Sequence, residues 1–184
     1  DKPLAGKTIV VDAGHGGLDV GALGPGKLHE AMLNRKISDE LVKNLKALGA
    51  NVLESRTENN TVDLYARMDF LNEANPDIAI SVHHNSVAGS ANALKAKGFL
   101  ALYSNNSGVL LASTLSDVIS AELGRMQRPT AYQQLAVARN HMFPSTLLEM
   151  CFISNVEEYQ WSITEGSYKK SADAITKGVL EYYK

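Results

Sequence analysis

Four kinds of position in this chain carry polar groups where the surrounding pattern calls for something small or apolar. His15 stands in VVDAGHGG (residues 10–17), among small residues and just after an apolar run that stops at Asp12. Glu30 opens a helix-like stretch. His83 and His84 end the run DIAISVHH (77–84), and Glu149 lies inside TLLEMCFI (146–153). Neutral imidazoles and a carboxylate are good Zn²⁺ ligands at about 2.0–2.2 Å, and a catalytic zinc takes three protein ligands and leaves a fourth position for water. A further carboxylate nearby can take a proton from that water. Two histidines and two glutamates meeting at one place would therefore make a metal-assisted hydrolytic centre, with the small residues around His15 leaving room for metal and substrate.

Each residue alone also has a plainer reading. A histidine after a strand is commonly a polar loop residue, and an acid at a helix start is favoured by the helix dipole. His83 and His84 are adjacent, and adjacent side chains in a strand face opposite ways. At most one of them meets a metal, and the other is packed or solvated. Glu149 is the exception, because an acid in so apolar a segment is costly to bury unpaired. His29 and His141 read as surface residues, and Cys151 as a small apolar filler. No local HExxH-type signature exists, so the fold has to gather the ligands from distant parts of the chain.

The elements that must do this are legible from periodicity. Lys7–Asp12 reads as a buried strand rich in β-branched residues. The loop from Gly14 to Leu28 holds six glycines and Pro25. Glu30–Leu48 has helical spacing, with Leu33, Ile37, Leu41, Leu45 and Leu48 on one face and Gly49 as a stop. Asn51–Ser55 is a second strand. Thr61 is expected to cap a second helix with Leu64, Met68 and Leu71 inward, ended by Asn75-Pro76. Asp77–His83 and Gly98–Tyr103 read as strands, and the small, polar stretch Ser86–Lys97 as a loop. A helix is expected over Gly108–Leu123, with Leu111, Leu115, Val118 and Ile119 inward, then a loop over Gly124–Gln133. Gln134–Arg139 and Ser145–Met150 read as two further strands, Asn155–Ile163 as a short helix and Lys169–Tyr183 as the last helix.

This alternation predicts an α/β fold: a single domain over residues 1–184, with a twisted, mostly parallel sheet of about six strands and helices on both faces. In such sheets ligands bind beyond the carboxyl ends of the strands. Strand ends are where His15, His83-His84 and Glu149 fall.

Bulk properties narrow the classes. The 184 residues suffice for one ordinary core, and 45% hydrophobic with 21% charged residues is usual for a globular chain. A net charge of −2 and a pI of about 6.2 argue against a nucleic-acid binder. No apolar run approaches the roughly 20 residues of a membrane span. One cysteine excludes an internal disulfide but does not fix the compartment. The chain starts at Asp1, with no methionine or signal peptide, which reads as a processed or excised fragment.

With these residues in view, the chain resembles the zinc-dependent N-acetylmuramoyl-L-alanine amidases of the type-3 family. GKTIVVDAGHGG is similar to that family's opening strand and first metal motif, and LHEAMLNRKISDELVKNLKALGANVLESR to its Glu-bearing helix, second strand and closing Arg. DLYARMDFLNEANPDIAISVHHN is similar to its second helix and Ser-x-His-x-Asn motif, STLLEMCFISNVEE to its Glu-x-x-Phe-x-Ser-Asn segment and ADAITKGVLEYY to its last helix. The resemblance implies that His15, Glu30 and His83 hold Zn²⁺ and that Glu149 is the catalytic glutamate. It also implies a peptidoglycan substrate and an extracytoplasmic setting: secreted, cell wall, periplasm or forespore envelope. Asp12 and Asn85, by proximity in sequence, are candidates for orienting the ligands. Ala13, His84 and Met150-Cys151 depart from the family pattern; the last pair bears on pocket shape. The short stretch Asn85–Gly98 leaves no room for an inserted plug, so the pocket is expected to be open, or controlled by a partner protein or by metal supply. The alternatives are a zinc peptidase acting on stem peptides, an inactive wall-binding module and a Cys151-His hydrolase.

Overall fold

The computed structural model describes residues 2–139 and 142–184; the expectation for His141 lies outside them. The β-branched run forms β1 (Thr8–Ala13), and the Glu30 helix forms α1 (Glu30–Ala47). Leu33, Ile37, Leu41 and Leu45 are buried on one side of α1, as their spacing of about one turn requires. The remaining elements are β2 (Asn51–Glu54), α2 (Leu64–Ala74), β3 (Ile78–Asn85), α3 (Ser90–Lys95), β4 (Leu100–Tyr103), α4 (Val109–Leu123), β5 (Ala131–Tyr132), β6 (Ser145–Phe152), α5 (Val156–Ile163) and α6 (Ser167–Tyr182).

The six strands form one sheet in the order β2-β1-β3-β6-β4-β5. All neighbours are parallel except β4 and β6. Side chains alternate between two cores. Ile9, Val11, Ile80, Val82 and Leu148 pack with α1, α4 and α6 on one face. Val10, Ala79 and Leu147 pack with Leu71 of α2 and with Val137 and Phe143 on the other. The mostly parallel α/β sheet with helices on both faces is thus as expected.

Register fixes what stands at the sheet's carboxyl edge. Asp12 pairs with Ser81, and His83 with Glu149. Residues directly opposite each other share a face, so Asp12, Ser81, His83 and Glu149 continue the α2 face upward from Val10, Ala79 and Leu147.

Several expectations need correction. The cap of the second helix is Asp63, whose carboxylate accepts the Ala66 N–H at 3.0 Å, and not Thr61. Leu64 is exposed, and Arg67 is the buried residue of that first turn, because it reaches a buried acid. The Ser86–Lys97 stretch contains the short helix α3. Gln134–Arg139 is not a strand: β5 precedes it at Ala131–Tyr132, and 136–138 form a single 3₁₀ turn that buries Val137 and Ala138 from a loop. The four-residue β4 offers β5 only two register pairs, Leu102–Ala131 and Tyr103–Tyr132, so the chain leaves the sheet before the apolar stretch arrives.

The buried acid is Asp12, 2% exposed. It accepts from Ser81 Oγ at 2.5 Å and also from Ser55 Oγ and the Arg67 guanidinium. Burial pushes its carboxyl upward, but Arg67 and the two hydroxyls outweigh this and hold it below its usual value. Removing one member of such a pair leaves an uncompensated charge, at a cost of about 3–5 kcal/mol. Arg67→Leu is therefore expected to lower unfolding stability by that order in urea titrations. Asp12→Asn added to it should restore part of the loss, since the stranded charge is gone.

Candidate active site

His15 sits just past the end of β1 with a backbone φ of 60°, a left-handed conformation that few non-glycine residues adopt. Two buried arginines hold this turn by its carbonyls. Arg67 donates to Ala13 O at 2.9 Å and to His15 O at 2.5 Å. Arg56 donates to Ala13 O at 3.2 Å and to Gly14 O at 3.4 Å. The imidazole itself is oriented by Asp19, whose Oδ2 accepts from Nδ1 at 2.8 Å. That leaves Nε2 facing Glu30 Oε2, 3.3 Å away.

Glu30 is the first residue of α1 and is 3% exposed. Its Oε2 accepts the Ala22 N–H at 2.9 Å; its Oε1 accepts the His84 N–H at 3.1 Å and the Asn34 amide at 3.3 Å. His83 Nδ1 lies 3.0 Å from the same Oε1. One donor atom each from His15, Glu30 and His83 lies within 4.8 Å of the others. The His15 and His83 rings stand edge to face at 4.9 Å.

The glycines of the loop are explained by this crowding. A Cβ on Gly14 would sit 2.2 Å from His83 ring atoms, and one on Gly21 would sit 2.7 Å from both Glu30 Oε2 and His15 Cδ2.

Charge follows from the same contacts. The hydrogen bond to Glu30 raises His15 to about 9, although its burial opposes the charge. Burial works against the Glu30 anion, but its bonds with His15 and His83 prevail and hold its carboxyl far below the usual range. Glu149, beside His83 by register, is raised to about 7, chiefly by burial. Its Oε2 is buried without a hydrogen-bond partner. A carboxyl poised near neutrality is suited to passing a proton. A cavity of about 490 Å³ opens onto His15 and His83 and is walled by Val62, Leu64, Leu135 and Val137.

The structure thus gathers His15, Glu30 and His83 and sets Glu149 next to them. Of the adjacent histidines, His83 faces this site. His84 points the other way, 3% exposed, with Nδ1 2.8 Å from Asn34 Oδ1. Asp12 acts on the site indirectly, through Arg67 and the His15 carbonyl. Asn85 does not orient a ligand: its Oδ1 accepts the Ser86 N–H at 2.8 Å. Asp19 and Asn34, which the sequence reading missed, hold His15 and Glu30 instead; each lies four residues after the side chain it contacts, and on α1 that spacing is one helical turn. His29 is half-buried at the N-cap of α1 rather than a free surface residue. Cys151 is buried, and burial raises its thiol far above its usual value, as suits a filler and not a nucleophile.

Fold and site together define a class of α/β proteins with a candidate metal centre at the carboxyl edge of the sheet. The family model described as N-acetylmuramoyl-L-alanine amidase (Amidase_3) matches residues 9–181, and the chain belongs to this family of enzymes. It is 32% identical to the Bacillus subtilis protein YqiI over 182 residues, covering 99% of this chain and 87% of that one. It is 30% identical to N-acetylmuramoyl-L-alanine amidase LytC of the same organism over 183 residues, covering 99% of this chain but only 36% of LytC. The structure of N-acetylmuramoyl-L-alanine amidase AmiC2 from Nostoc punctiforme superposes with a TM-score of 0.91 at 28% identity, over 97% of this chain and 98% of that chain.

Two outcomes are expected for the metal-free protein. Gly14→Ala should displace the His83 ring and weaken metal binding by more than tenfold, on the order of the loss seen when a ligand's support is removed; calorimetric titration reads this directly. The second concerns pH. His15, raised from 6.5 to about 9, contributes stability that is complete below pH 6.5 and is lost as pH climbs through 9. His84, lowered from 6.5 to about 4 by burial, acts in the other direction: below pH 6.5 the unfolded chain takes up a proton that the folded core refuses. Glu149, raised from 4.5 to about 7, works against His84 between those values, so stability of the metal-free chain should stay nearly level from about pH 4.5 to 6.5 and fall as pH climbs from 6.5 through 9, as measured by denaturant unfolding across the range.

Proposed function

We propose that this chain hydrolyses the amide between the lactyl group of N-acetylmuramic acid and L-alanine of the peptidoglycan stem peptide, with Zn²⁺ held by His15, Glu30 and His83 and with Glu149 as general base. The observation that carries the reading is Glu149: a half-buried residue whose Oε2 is buried without a hydrogen-bond partner, raised to about 7 and set by strand register against a two-histidine, one-carboxylate donor set. That donor set fits zinc in ligand type and number, and the glycine positions keep side chains out of the space between the donors.

A zinc ion in this site supplies a Lewis acid for the amide carbonyl and an acidified water. Glu149 would take up the proton released when a water adds to the carbonyl carbon. It then delivers the proton to the nitrogen as the C–N bond breaks, leaving a lactyl carboxylate and a free alanine amine. His15 and His83 must be neutral to serve as ligands, so metal uptake releases protons and strengthens as pH rises. Asp19 and Glu30's own hydrogen bonds keep the donors aimed while this happens. The names of LytC and AmiC2 support the substrate, and a peptidoglycan substrate in turn supports a reaction outside the cytoplasmic membrane. No helix among the described residues is long and apolar enough to cross a membrane. Among the described residues, none of the 86–97 stretch lines the cavity, which supports a site open to substrate, with control left to a partner protein or to metal supply.

Glu149→Gln is expected to keep zinc and lose about 10²–10⁴-fold in turnover. His15→Ala should lose both, and chelation followed by zinc should abolish and restore wild-type activity. Mass spectrometry of digested cell-wall polymer checks the bond cleaved. Free muramic lactyl groups with new N-terminal alanine support the reading, clipped stems point to a peptidase, and an active Glu149→Gln variant removes the base assignment.

A further inference from the structure

Asn34 and His84 lie beneath the donor set, on the α1 side of the sheet, and neither is among the three groups expected to touch a metal. Asn34 is fully buried and His84 nearly so. The Asn34 amide nitrogen donates twice: to Gly14 O at 3.1 Å and to Glu30 Oε1 at 3.3 Å. It thereby joins the ligand carboxylate to the turn that carries His15. An amide can be inserted either way round, and a flip would bring its oxygen against the Glu30 carboxylate and the Gly14 carbonyl, three acceptors with no proton between them. What decides the orientation is the group facing the amide's other end. There His84 Nδ1 stands 2.8 Å from Asn34 Oδ1. With both protons of the Asn34 amide committed elsewhere, that oxygen accepts, so His84 donates from Nδ1.

We propose that His84 is a positioning residue for the metal site: by donating to Asn34 it locks the amide that aims Glu30 and anchors the Gly14 carbonyl. Its backbone N–H donates to the same Glu30 Oε1 at 3.1 Å. The carboxylate is thus held by Asn34, by the His84 amide and by Ala22 N, all neutral donors that are in place before any ion arrives. This preorganisation lowers the cost of assembling the donors. The proposal rests on the reading that His15, Glu30 and His83 bind zinc.

The test compares His84→Leu, which fills the same space with no donor, with His84→Gln, whose amide N–H can reach Asn34 Oδ1. Zinc dissociation constants of the purified chain are measured by chelator competition. His84→Leu is expected to weaken zinc binding by about 10- to 100-fold, and His84→Gln to bind within a few-fold of wild type. In the Asn34→Ala background, His84→Leu should add nothing, because its effect passes through Asn34. Equal affinities for His84→Leu and wild type would overturn the proposal, and so would a loss that simply adds to that of Asn34→Ala. A purely structural role lowers the melting temperature of both variants alike and leaves zinc affinity unchanged, which also overturns it. If wild type itself fails to bind zinc, the zinc reading falls and takes this proposal with it. A wild type that binds while His84→Leu is unimpaired removes this proposal alone.

Discussion

The burial of the Glu30 carboxylate is the constraint around which this edge of the molecule is arranged. A charge that is 3% exposed has lost its hydration and must find that stabilisation in the protein. It finds part of it by being the first residue of α1, where the helix dipole favours an anion. The rest comes from three N–H donors and two imidazoles. Those partners come from the glycine loop, from β3 and from the next turn of α1. The carboxylate therefore cannot be satisfied unless three distant parts of the chain have already come together. A single desolvated charge thus couples completion of the fold to assembly of the donor set.

The loop bearing His15 is held in a related but distinct manner. Its carbonyls would otherwise face into the protein with no strand partner. Arg56 and Arg67 answer them with guanidinium donors, and Asp12 balances the charge of Arg67. The planar guanidinium, with five donors in fixed directions, can hold several acceptors at once, which a lysine ammonium does less well. The left-handed backbone at His15 is sustained by this bracing, as sparsely populated conformations generally require over-determination by their surroundings. Positional precision at the imidazole is thus a product of main-chain capture as much as of side-chain contacts.

The long elements were readable because their signals are redundant. β1 and β3 are runs of β-branched and small apolar residues, and α1 repeats leucine and isoleucine at helical spacing over 18 residues. A parallel sheet puts its binding groups at strand ends, and His15, His83-His84 and Glu149 stand there. The alternation of a strand correctly put His83 and His84 on opposite faces. What alternation could not say is that the face away from the cavity holds a hydrogen bond to Asn34. α3 and β5 were missed because elements of six and two residues are too short to show a period; they form where tertiary contacts complete them. The burial of Arg67 has no sequence signal, because only Asp12, 55 positions away, makes it an inside residue.

The strand order has a consequence for how the molecule meets its own kind. The three longest strands, β1, β3 and β6, are adjacent and have neighbours on both sides, while the two outer places go to β2, with four residues, and β5, with two. An outer strand with unpaired amides is a template on which a second chain can polymerise, and short outer strands blunt that hazard. Here the terminal rungs are too brief to seed a growing ribbon, so the apolar, β-branched segments that build the core are kept from becoming a route to fibrils.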